Sequence, residues 1–390
     1  MRAPRLLVPL LLIVGAAFAS PAAATPAKVD VVARNLDAPR HLAFGARGDL
    51  FVAEAGRGGS GPCFVAGEGP ACMGATGAVT EIDRHGHQFR IARGLASFAN
   101  TIPDPNPMGV TPNPIGPHGI TVLGADQVFV TNGGPTEPKD ASGADISRDA
   151  LAAQNPAANL FGRLLWIGHH GRVRSIADIW AFERDVNPDA AVGNPAVDSN
   201  AVDVLFDRGH FVIADAGGNA IDRASFFGRV SNLAVFANRT VPNPFPPPPP
   251  APQTVDMQAV PTSVVEGPDH QYYVSQLTGF PFPPGGANVY RVDPRTGDTT
   301  VFADGFTNIM DLAFGRDGTL YVLEISHSGL LNGADGAIFA VSPNGTKRQI
   351  DLPPGTLTAP GGITVGRDGL YVSNQTFVPG EGEVLRIRSH

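Results

Sequence analysis

The chain has 390 residues, of which 36 are acidic and 28 are lysine or arginine, so its formal net charge is −8. An acidic balance of this kind argues against nucleic acid or an anionic membrane surface as the partner. The length alone would allow two domains, and internal repeats must decide between one and two.

The N-terminal segment has the pattern of a secretory signal peptide. Arg2 and Arg5 precede an apolar run at 6–19, and small residues follow up to Ala24. The run is too short to span a bilayer, and no later segment resembles a transmembrane helix. We therefore expect residues 1–24 to be cleaved, and the mature protein to be secreted or otherwise extracytoplasmic, without a membrane span.

A pattern of two short strands around a Gly- or Asp-containing turn occurs six times in the rest of the chain. DLAFGRDGTLYVLE at 311–324 is one copy, and HLAFGARGDLFVAE at 41–54 is another. A third strand with glycine near its start follows most copies, and a fourth strand often follows the third. Six units of up to four strands, without room for helical crossovers, predict an all-β fold, namely a six-bladed β-propeller.

The two ends of the repeat series are complementary. The sixth copy ends after three strands, whereas an unmatched strand, KVDVVARNL at 28–36, precedes the first copy. This N-terminal strand is expected to complete the last blade and close the ring, so that residues 25–390 form one domain. The wider spacing of the early copies predicts loop insertions. They are expected at 56–77, 97–117, 133–158 and 240–254.

The first insertion carries the two cysteines of the chain, Cys63 and Cys72. In an oxidising compartment, two cysteines at this spacing are expected to form a disulfide bond. The alternative, a reactive thiol pair, lacks basic neighbours that would activate it.

Other segments between the blades predict short helices and a proline-rich excursion. Helices are expected near 145–153 and after Asp178, a residue type that caps helix N-termini. The proline-rich run at 240–252 predicts a polyproline II segment. This segment could bind a protein partner, or it could be a stiff loop between two blades.

One aligned position carries an oxygen-bearing side chain in every copy. It ends the second strand, where the first hairpin opens toward the face on which propeller pockets usually form. The residues are Glu54, Asn132, Asp215, Gln276, Glu324 and Asn374. We predict that Glu54, Asp215 and Glu324 bind a divalent cation, Ca²⁺ or Mg²⁺, because hard oxygen ligands suit these ions. A wet channel with separated, hydrogen-bonded acids is the alternative.

The same face predicts a small-molecule pocket. Its residues are expected to be Asn132, Asp203, Gln276, Phe280, Phe282, Asp311 and Asn374. His41 and His118 are the candidate bases if the pocket is catalytic. Ordinary packing of the phenylalanines and a satisfied polar role for the histidines are the alternatives, and the sequence does not identify the catalytic residues.

Two stretches resemble the ScyD/ScyE family of secreted propeller proteins, namely LTGFPFPPGGANVYRVDP at 277–294 and GFTNIMDLAFGRDGTLYVLEIS at 305–326. The segment ADIWAFERDVNPD at 177–189 is similar to that family's linker into the third blade, although Ala196 stands where the family tends to have an aromatic residue. The resemblance covers essentially the whole mature chain and implies the propeller fold and export. More distantly, the blades resemble NHL and gluconolactonase-type propellers, some of which hold a divalent metal on the axis.

Two classes of function fit these observations. In the first, the secreted propeller binds a small molecule at a polar, metal-containing pocket on its axis, and in an enzymatic form also modifies it. In the second, it is a non-catalytic scaffold of the cell envelope that binds protein partners through its proline-rich loops. Motifs for nucleotide binding, a nucleophilic serine or a zinc protease are absent from the sequence, so no nucleotide cofactor is expected.

Overall fold

The protein is described by a computed structural model over residues 26–388, apart from 67–68, 101–112, 136–137, 246–247 and 249. The predicted signal peptide lies outside the described residues, and so does a part of each predicted insertion. Within the described ranges, no helix is long and apolar enough to cross a membrane.

Six antiparallel sheets stand as blades around one axis, which confirms the predicted six-bladed β-propeller. In chain order the strands are β1 (Lys28–Asp37), β2 (Pro39–Phe44), β3 (Leu50–Glu54), β4 (Cys63–Ala66), β5 (Gly69–Ile82), β6 (Gln88–Asn100), β7 (Pro117–Leu123), β8 (Gln127–Asn132), β9 (Arg163–Ile167), β10 (Val173–Asp178), β11 (Ala201–Asp207), β12 (His210–Asp215), β13 (Ala220–Ala224), β14 (Val230–Val235), β15 (Arg239–Pro242), β16 (Thr254–Met257), β17 (Pro261–Glu266), β18 (Tyr272–Gln276), β19 (Ala287–Val292), β20 (Thr299–Phe306), β21 (Ile309–Phe314), β22 (Leu320–Glu324), β23 (Ala337–Val341), β24 (Lys347–Gln349), β25 (Gly362–Val365), β26 (Leu370–Asn374) and β27 (Pro379–Arg388). The helices are α1 (Arg148–Gln154) and α2 (Ile179–Val186), and short 3-10 helices occupy Pro156–Leu160, His169–Gly171 and Pro188–Val192.

One strand of each blade lines the axis. These inner strands are β2, β7, β11, β17, β21 and β25, and each packs against the inner strands of the two neighbouring blades. The first blade is enlarged by the hairpin of β4 and β5, and β15 and β16 form a separate hairpin between the third and fourth blades. Within each repeat the chain therefore runs outward from the axis, strand by strand.

The middle strands of the blades are apolar on both faces because a neighbouring blade covers each face. In β12, Phe211, Val212, Ile213 and Ala214 are all fully buried. Phe129 of the second blade packs on Phe211 of the third, with ring centroids 4.7 Å apart. The apolar core therefore lies in layers between blades, which leaves the axis for other side chains.

The N-terminal strand closes the ring, as predicted. β1 pairs antiparallel with β27, with Val29 opposite Ile387 and Val31 opposite Leu385. The sheet order is β1-β27-β26-β25, so the first and last strands of the chain share the sixth blade. Leu36 near the end of β1 is 1% exposed, so this closure combines a hydrogen-bond ladder with apolar burial.

The predicted disulfide bond and both predicted helices are present. Cys63 and Cys72 face each other across the β4–β5 hairpin and are bonded. Asp178 caps α2 by accepting a hydrogen bond from Ala181 N at 3.0 Å. Ser147 caps α1 in the same way. These segments lie between the blades or at their edges. The axial residues are positioned by the ring of inner strands.

Candidate functional site

Three ionisable side chains from alternate blades meet on the propeller axis. They are His41 on β2, Asp203 on β11 and Asp311 on β21. One ligand atom of each lies within 4.8 Å of the other two, and His41 Nε2 is 3.5 Å from Asp311 Oδ1. All three residues are at most 6% exposed. In the described part of the chain, no other group of three His, Cys, Asp or Glu residues is this compact.

Small residues hold the equivalent position in the other three blades, for a steric reason. A Cβ atom at Gly119 would lie 2.3 Å from the Cα of Asp203, and one at Gly362 would lie 2.8 Å from the Cα of His41. The third small residue, Ser263, donates a hydrogen bond to the carboxylate of the fifth blade at 2.7 Å. The axis is too narrow for six large side chains, so ionisable and small residues alternate around it.

Each axial carboxylate also joins its own strand to the next blade. Asp203 accepts a hydrogen bond from the amide of the next residue at 2.7 Å and from Val264 N, on β17, at 2.9 Å. Asp311 likewise accepts from the amide of the next residue and from Ile363 N, on β25, both at 2.7 Å. These bonds hold both carboxylates in place. Because a carboxylate oxygen can accept about two hydrogen bonds, each side chain keeps acceptor capacity toward the axis.

The electrostatics of the pair of acids are unfavourable without a further positive charge or proton. Burial raises the pKa of Asp311 above its usual value; His41 opposes this shift, and the negative charge of Asp203 adds to it. The site therefore favours a proton, or a bound cation, over two bare carboxylates.

His118 lies behind the triad, on β7. Its Nδ1 is 2.8 Å from the carbonyl oxygen of Val202 and 3.3 Å from Nδ1 of His41. A carbonyl oxygen only accepts, so His118 Nδ1 carries the proton of this hydrogen bond. Burial, with help from Arg40 and His41, lowers the pKa of His118 well below its usual value, so this ring is neutral.

A cavity of about 290 Å³ extends along the axis from the triad. The next layer of side chains along the inner strands is free of ionisable groups. It consists of Ala43, Thr121, Leu205, Val265, Ala313 and Thr364. The volume is near the lower end of ordinary ligand pockets, roughly 300–1,000 Å³. The cavity runs toward the turns of the first hairpins, whereas the sequence pattern predicts a pocket on the side of their open ends.

The oxygen-bearing side chains at the ends of the second strands have a different role from the predicted one. In four blades this side chain accepts a hydrogen bond from a backbone N–H in the segment that leads into the inner strand of the same blade. The pairs are Glu54 with Asp37 N at 2.6 Å, Asp215 with Asn200 N at 2.6 Å, Glu324 with Thr307 N at 2.7 Å and Asn374 with Thr358 N at 2.8 Å. In these four blades the repeated oxygen therefore fixes the segment that leads into the inner strand.

The structure does not bring Glu54, Asp215 and Glu324 together. They lie on second strands, and neighbouring strands are about 4.8 Å apart, so these residues stand farther from the axis than the first-strand triad. Glu54 accepts a hydrogen bond from Arg90 Nε at 2.9 Å, and Glu324 is 2.6 Å from Nδ1 of His327. His41, Asp203 and Asp311 are therefore better candidates for the cation than these acids. In the sequence, the triad could have been recognised because its three residues hold the same position in alternate repeats.

The remaining predicted pocket residues also lie off the axis. Gln276 accepts a hydrogen bond from a backbone amide on β19 at 3.1 Å, and Asn132 donates one to the carbonyl of the next residue at 3.0 Å. Phe282 packs in an apolar cluster with Phe377, and Phe280 is 44% exposed. None of these four residues lines the axial cavity.

Solved structures with a similar fold are six-bladed β-propellers. A gluconolactonase from Xanthomonas campestris has a TM-score of 0.51 and 11% identity, over 93% of this chain and 90% of that one. A putative oxidoreductase (glucose dehydrogenase) from Thermus thermophilus has a TM-score of 0.50 and 17% identity, over 93% and 99% of the two chains. The PQQ-bound form of an aldose sugar dehydrogenase from Streptomyces coelicolor has a TM-score of 0.49 and 12% identity, over 93% and 98%.

At these identities the likeness establishes the fold alone. No family model matches this sequence, and no curated protein matches it significantly. The chain is thus a six-bladed β-propeller with a buried His-Asp-Asp triad on its axis.

Proposed function

We propose that this propeller binds a small molecule in the axial cavity, at a divalent cation held by His41, Asp203 and Asp311. The observation that carries the proposal is the convergence of three ligand atoms within 4.8 Å at the charged end of the cavity. Metal–ligand bonds of about 2.0–2.4 Å span ligand atoms at this spacing. The buried His41 Nε2 has no other hydrogen-bond partner, which leaves it available to the ion.

The donor set favours a transition metal over Ca²⁺ or Mg²⁺. One imidazole and two carboxylates suit Zn²⁺, Mn²⁺ or Fe²⁺, because imidazole is a softer ligand than oxygen. The ion also offsets the repulsion between the two carboxylates, which amounts to about 3 kcal/mol for charges roughly 5 Å apart at an effective dielectric of about 20. A proton and a metal ion compete for Nε2 of His41, so the affinity falls as pH is lowered.

The cation and the cavity would contact different parts of the ligand. A bound ion of this kind polarises a ligand oxygen or lowers the pKa of a bound water. His118, held by Val202, packs against the ring of His41, and the uncharged layer beyond the triad selects a compact ligand with one polar end. We also propose that the protein is exported and of the ScyD/ScyE type. The N-terminal pattern, the disulfide bond and the sequence resemblance support this part of the proposal.

A non-catalytic envelope scaffold is the second candidate. It is favoured by the hydrogen bonds of Asp203 and Asp311 to neighbouring blades, because these bonds give both acids a role in holding the ring together. In that case the triad binds no ion, and the proline-rich loop would be the contact with a protein partner.

Metal content and metal titration distinguish the two candidates. The mature chain, purified without a polyhistidine tag, is expected to bind one Zn²⁺ or Mn²⁺ at the axis. Asp203→Asn and Asp311→Asn should each lower the affinity by at least tenfold. Asp317→Asn, in an exposed turn, is the matched control and should bind as the wild type does. Wild-type protein that takes up neither ion would refute the axial metal.

A separate variant tests the small molecule. Ala313→Leu adds volume to the layer beyond the triad without altering a proposed ligand of the ion. Mass spectrometry of compounds that co-purify with the protein should find the ligand on the wild type and not on this variant, while metal binding is retained. A compound that persists on the variant would have to bind elsewhere.

A further inference from the structure

A second group of acids lies away from the axis, beneath helix α2 at the edge of the third blade. Its central residue is Glu183, which is 1% exposed. Neither carboxylate oxygen of Glu183 has a hydrogen-bond partner. Buried carboxylates in proteins are almost always paired, so two unpartnered oxygens at this depth point to a missing ligand.

A glycine lies directly beside this carboxylate. A Cβ atom at Gly218 would lie 3.1 Å from Glu183 Oε2 and 3.4 Å from Cγ of Asp215. Glu183 and Asp215 thus both approach the same glycine. The preceding Gly217 has the same relation to Asp198, whose Oδ1 would be 2.6 Å from a Cβ atom there. The glycine pair lets acids from three segments approach one turn.

Two further acids of this region differ in how well they are satisfied. Asp189 is 1% exposed; its Oδ2 accepts from Asn219 Nδ2 at 2.9 Å, and its Oδ1 has no partner. Asp215 accepts from Ser199 Oγ at 2.6 Å and from Gly218 N at 3.1 Å. Asp215 is therefore held rigidly, whereas Glu183 and Asp189 present free oxygens.

No positively charged side chain contributes to the pKa shifts of this group of acids. Burial raises the pKa of Glu183 to about 8, and the negative charges of Asp215, Asp189 and Asp222 add to this shift. The backbone amide of Asp198 lies close enough to oppose the shift. No donor, however, forms a hydrogen bond of acceptable geometry with either carboxylate oxygen of Glu183. Burial is the larger cause, and the negative charge of Asp215 the smaller one, of a raised pKa of about 8 at Asp222. No lysine, arginine or histidine is among the causes of these shifts.

We propose that this group is a second cation site, in which Glu183, Asp189 and Asp215 bind Ca²⁺. All available ligands are oxygens, which suits Ca²⁺ better than a transition metal. These carboxylates are more widely spaced than the axial triad, the one compact group among the described residues. Ca²⁺ tolerates this spacing because it takes six to eight ligands in flexible geometry, including carbonyls and water. Glu183 can rotate toward the ion without breaking a hydrogen bond.

Binding of Ca²⁺ would connect two parts of the fold. Glu183 belongs to α2 and Asp189 to the 3-10 helix that follows, both in the linker between the second and third blades. Asp215 ends β12 of the third blade. A shared Ca²⁺ ion therefore ties the linker to the blade and neutralises the acids that burial has brought together. This proposal does not depend on the axial metal.

The test is thermal unfolding of the metal-stripped mature chain with and without Ca²⁺. Saturating Ca²⁺ is expected to raise the Tm by on the order of 3 °C or more. Glu183→Gln should remove this increase, and Asp311→Asn, on the axis, should retain it. A wild-type Tm that does not respond to Ca²⁺ overturns the proposal. So does a response that survives Glu183→Gln, and a response lost only in Asp311→Asn assigns the calcium to the axis instead.

A second readout covers the case in which Glu183→Gln does not fold. Trp180 lies three residues before Glu183 on α2, so the two side chains are neighbours on one face of the helix. Tb³⁺, which replaces Ca²⁺ at oxygen sites, should show tryptophan-sensitised emission that Ca²⁺ competes away. Trp180→Phe should remove this emission, whereas Trp166→Phe, which removes the other tryptophan of the chain, should retain it. Absence of sensitised emission on the wild type, or its persistence in Trp180→Phe, overturns the proposal.

Discussion

Gly119→Ala is expected to disturb the ring and the axial triad at once. Gly119 lies on β7, against the inner strand of the third blade. A Cβ atom there would be 2.3 Å from Cα and 2.7 Å from C of Asp203, and 2.8 Å from N of Val204. All three are backbone atoms of β11, so no side chain can rotate away to make room.

The size of the effect follows from this overlap. Non-bonded carbons are in ordinary contact at about 3.5–4.0 Å, so β7 and β11 would have to separate by roughly 1.2–1.7 Å. Six inner strands form a closed ring, and the separation cannot be absorbed at a free edge. Overpacking of a core costs about 1–3 kcal/mol in the free energy of unfolding, and backbone-against-backbone overlap belongs at the upper end of that range.

Chemical unfolding measures the loss of stability, and cation titration measures the displacement of Asp203 from the other ligands. Gly279→Ala is the matched control, because the nearest atom to its Cβ would be the Cβ of Gln258 at 3.2 Å. We expect the control to lose less than about 1 kcal/mol. A Gly119→Ala protein as stable as the control, with unchanged cation affinity, would refute the close approach of the two inner strands.

Three other predictions concern closure, buried charge and pH. Truncation of residues 26–38 removes the outer strand of the sixth blade, and should lower the Tm sharply or cause aggregation; an unchanged Tm would contradict closure by β1. Arg90→Met leaves the fully buried Glu54 without its cation, and should cost about 3–5 kcal/mol in urea unfolding, whereas Arg57→Met, at an exposed side chain, should cost under about 1 kcal/mol. In Ca²⁺-free protein, the folded chain holds the proton of Glu183 up to about pH 8, whereas the unfolded chain releases it near pH 4.3, so the Tm should fall as pH rises through this window. Glu183→Gln should flatten that slope, and an identical slope in the variant would contradict the assignment.

The architecture could be predicted from the sequence because its determinants are local. Each hairpin is encoded by alternating apolar residues and a short turn, and six copies of that signal predict the blades of a propeller. Closure followed from a count of strands, since the last repeat was one strand short and the chain began with an unmatched one. The Cys63–Cys72 bond could be predicted from the spacing of the two cysteines together with the expectation of an oxidising compartment.

The composition of the axial site depended on the tertiary structure. The sequence presents His41, Asp203 and Asp311 beside an equally regular set of acids on the second strands, and both sets repeat with the blades. One strand spacing separates the two sets, and it decides which of them meets on the axis. The second set instead accepts hydrogen bonds from the backbone that leads into the inner strand of each of its blades.

The burial of Glu183 could not be predicted from the sequence. This residue occurs once, in a linker, with no equivalent in the other repeats, and on an amphipathic helix an acid of this kind is ordinarily solvent-exposed. Its burial is decided by how α2 packs against the third blade, where Gly218 leaves room for its carboxylate. Hydrogen-bond ladders and turns are encoded over a few residues, but distances between blades and linkers arise from long-range packing, which only the folded chain determines.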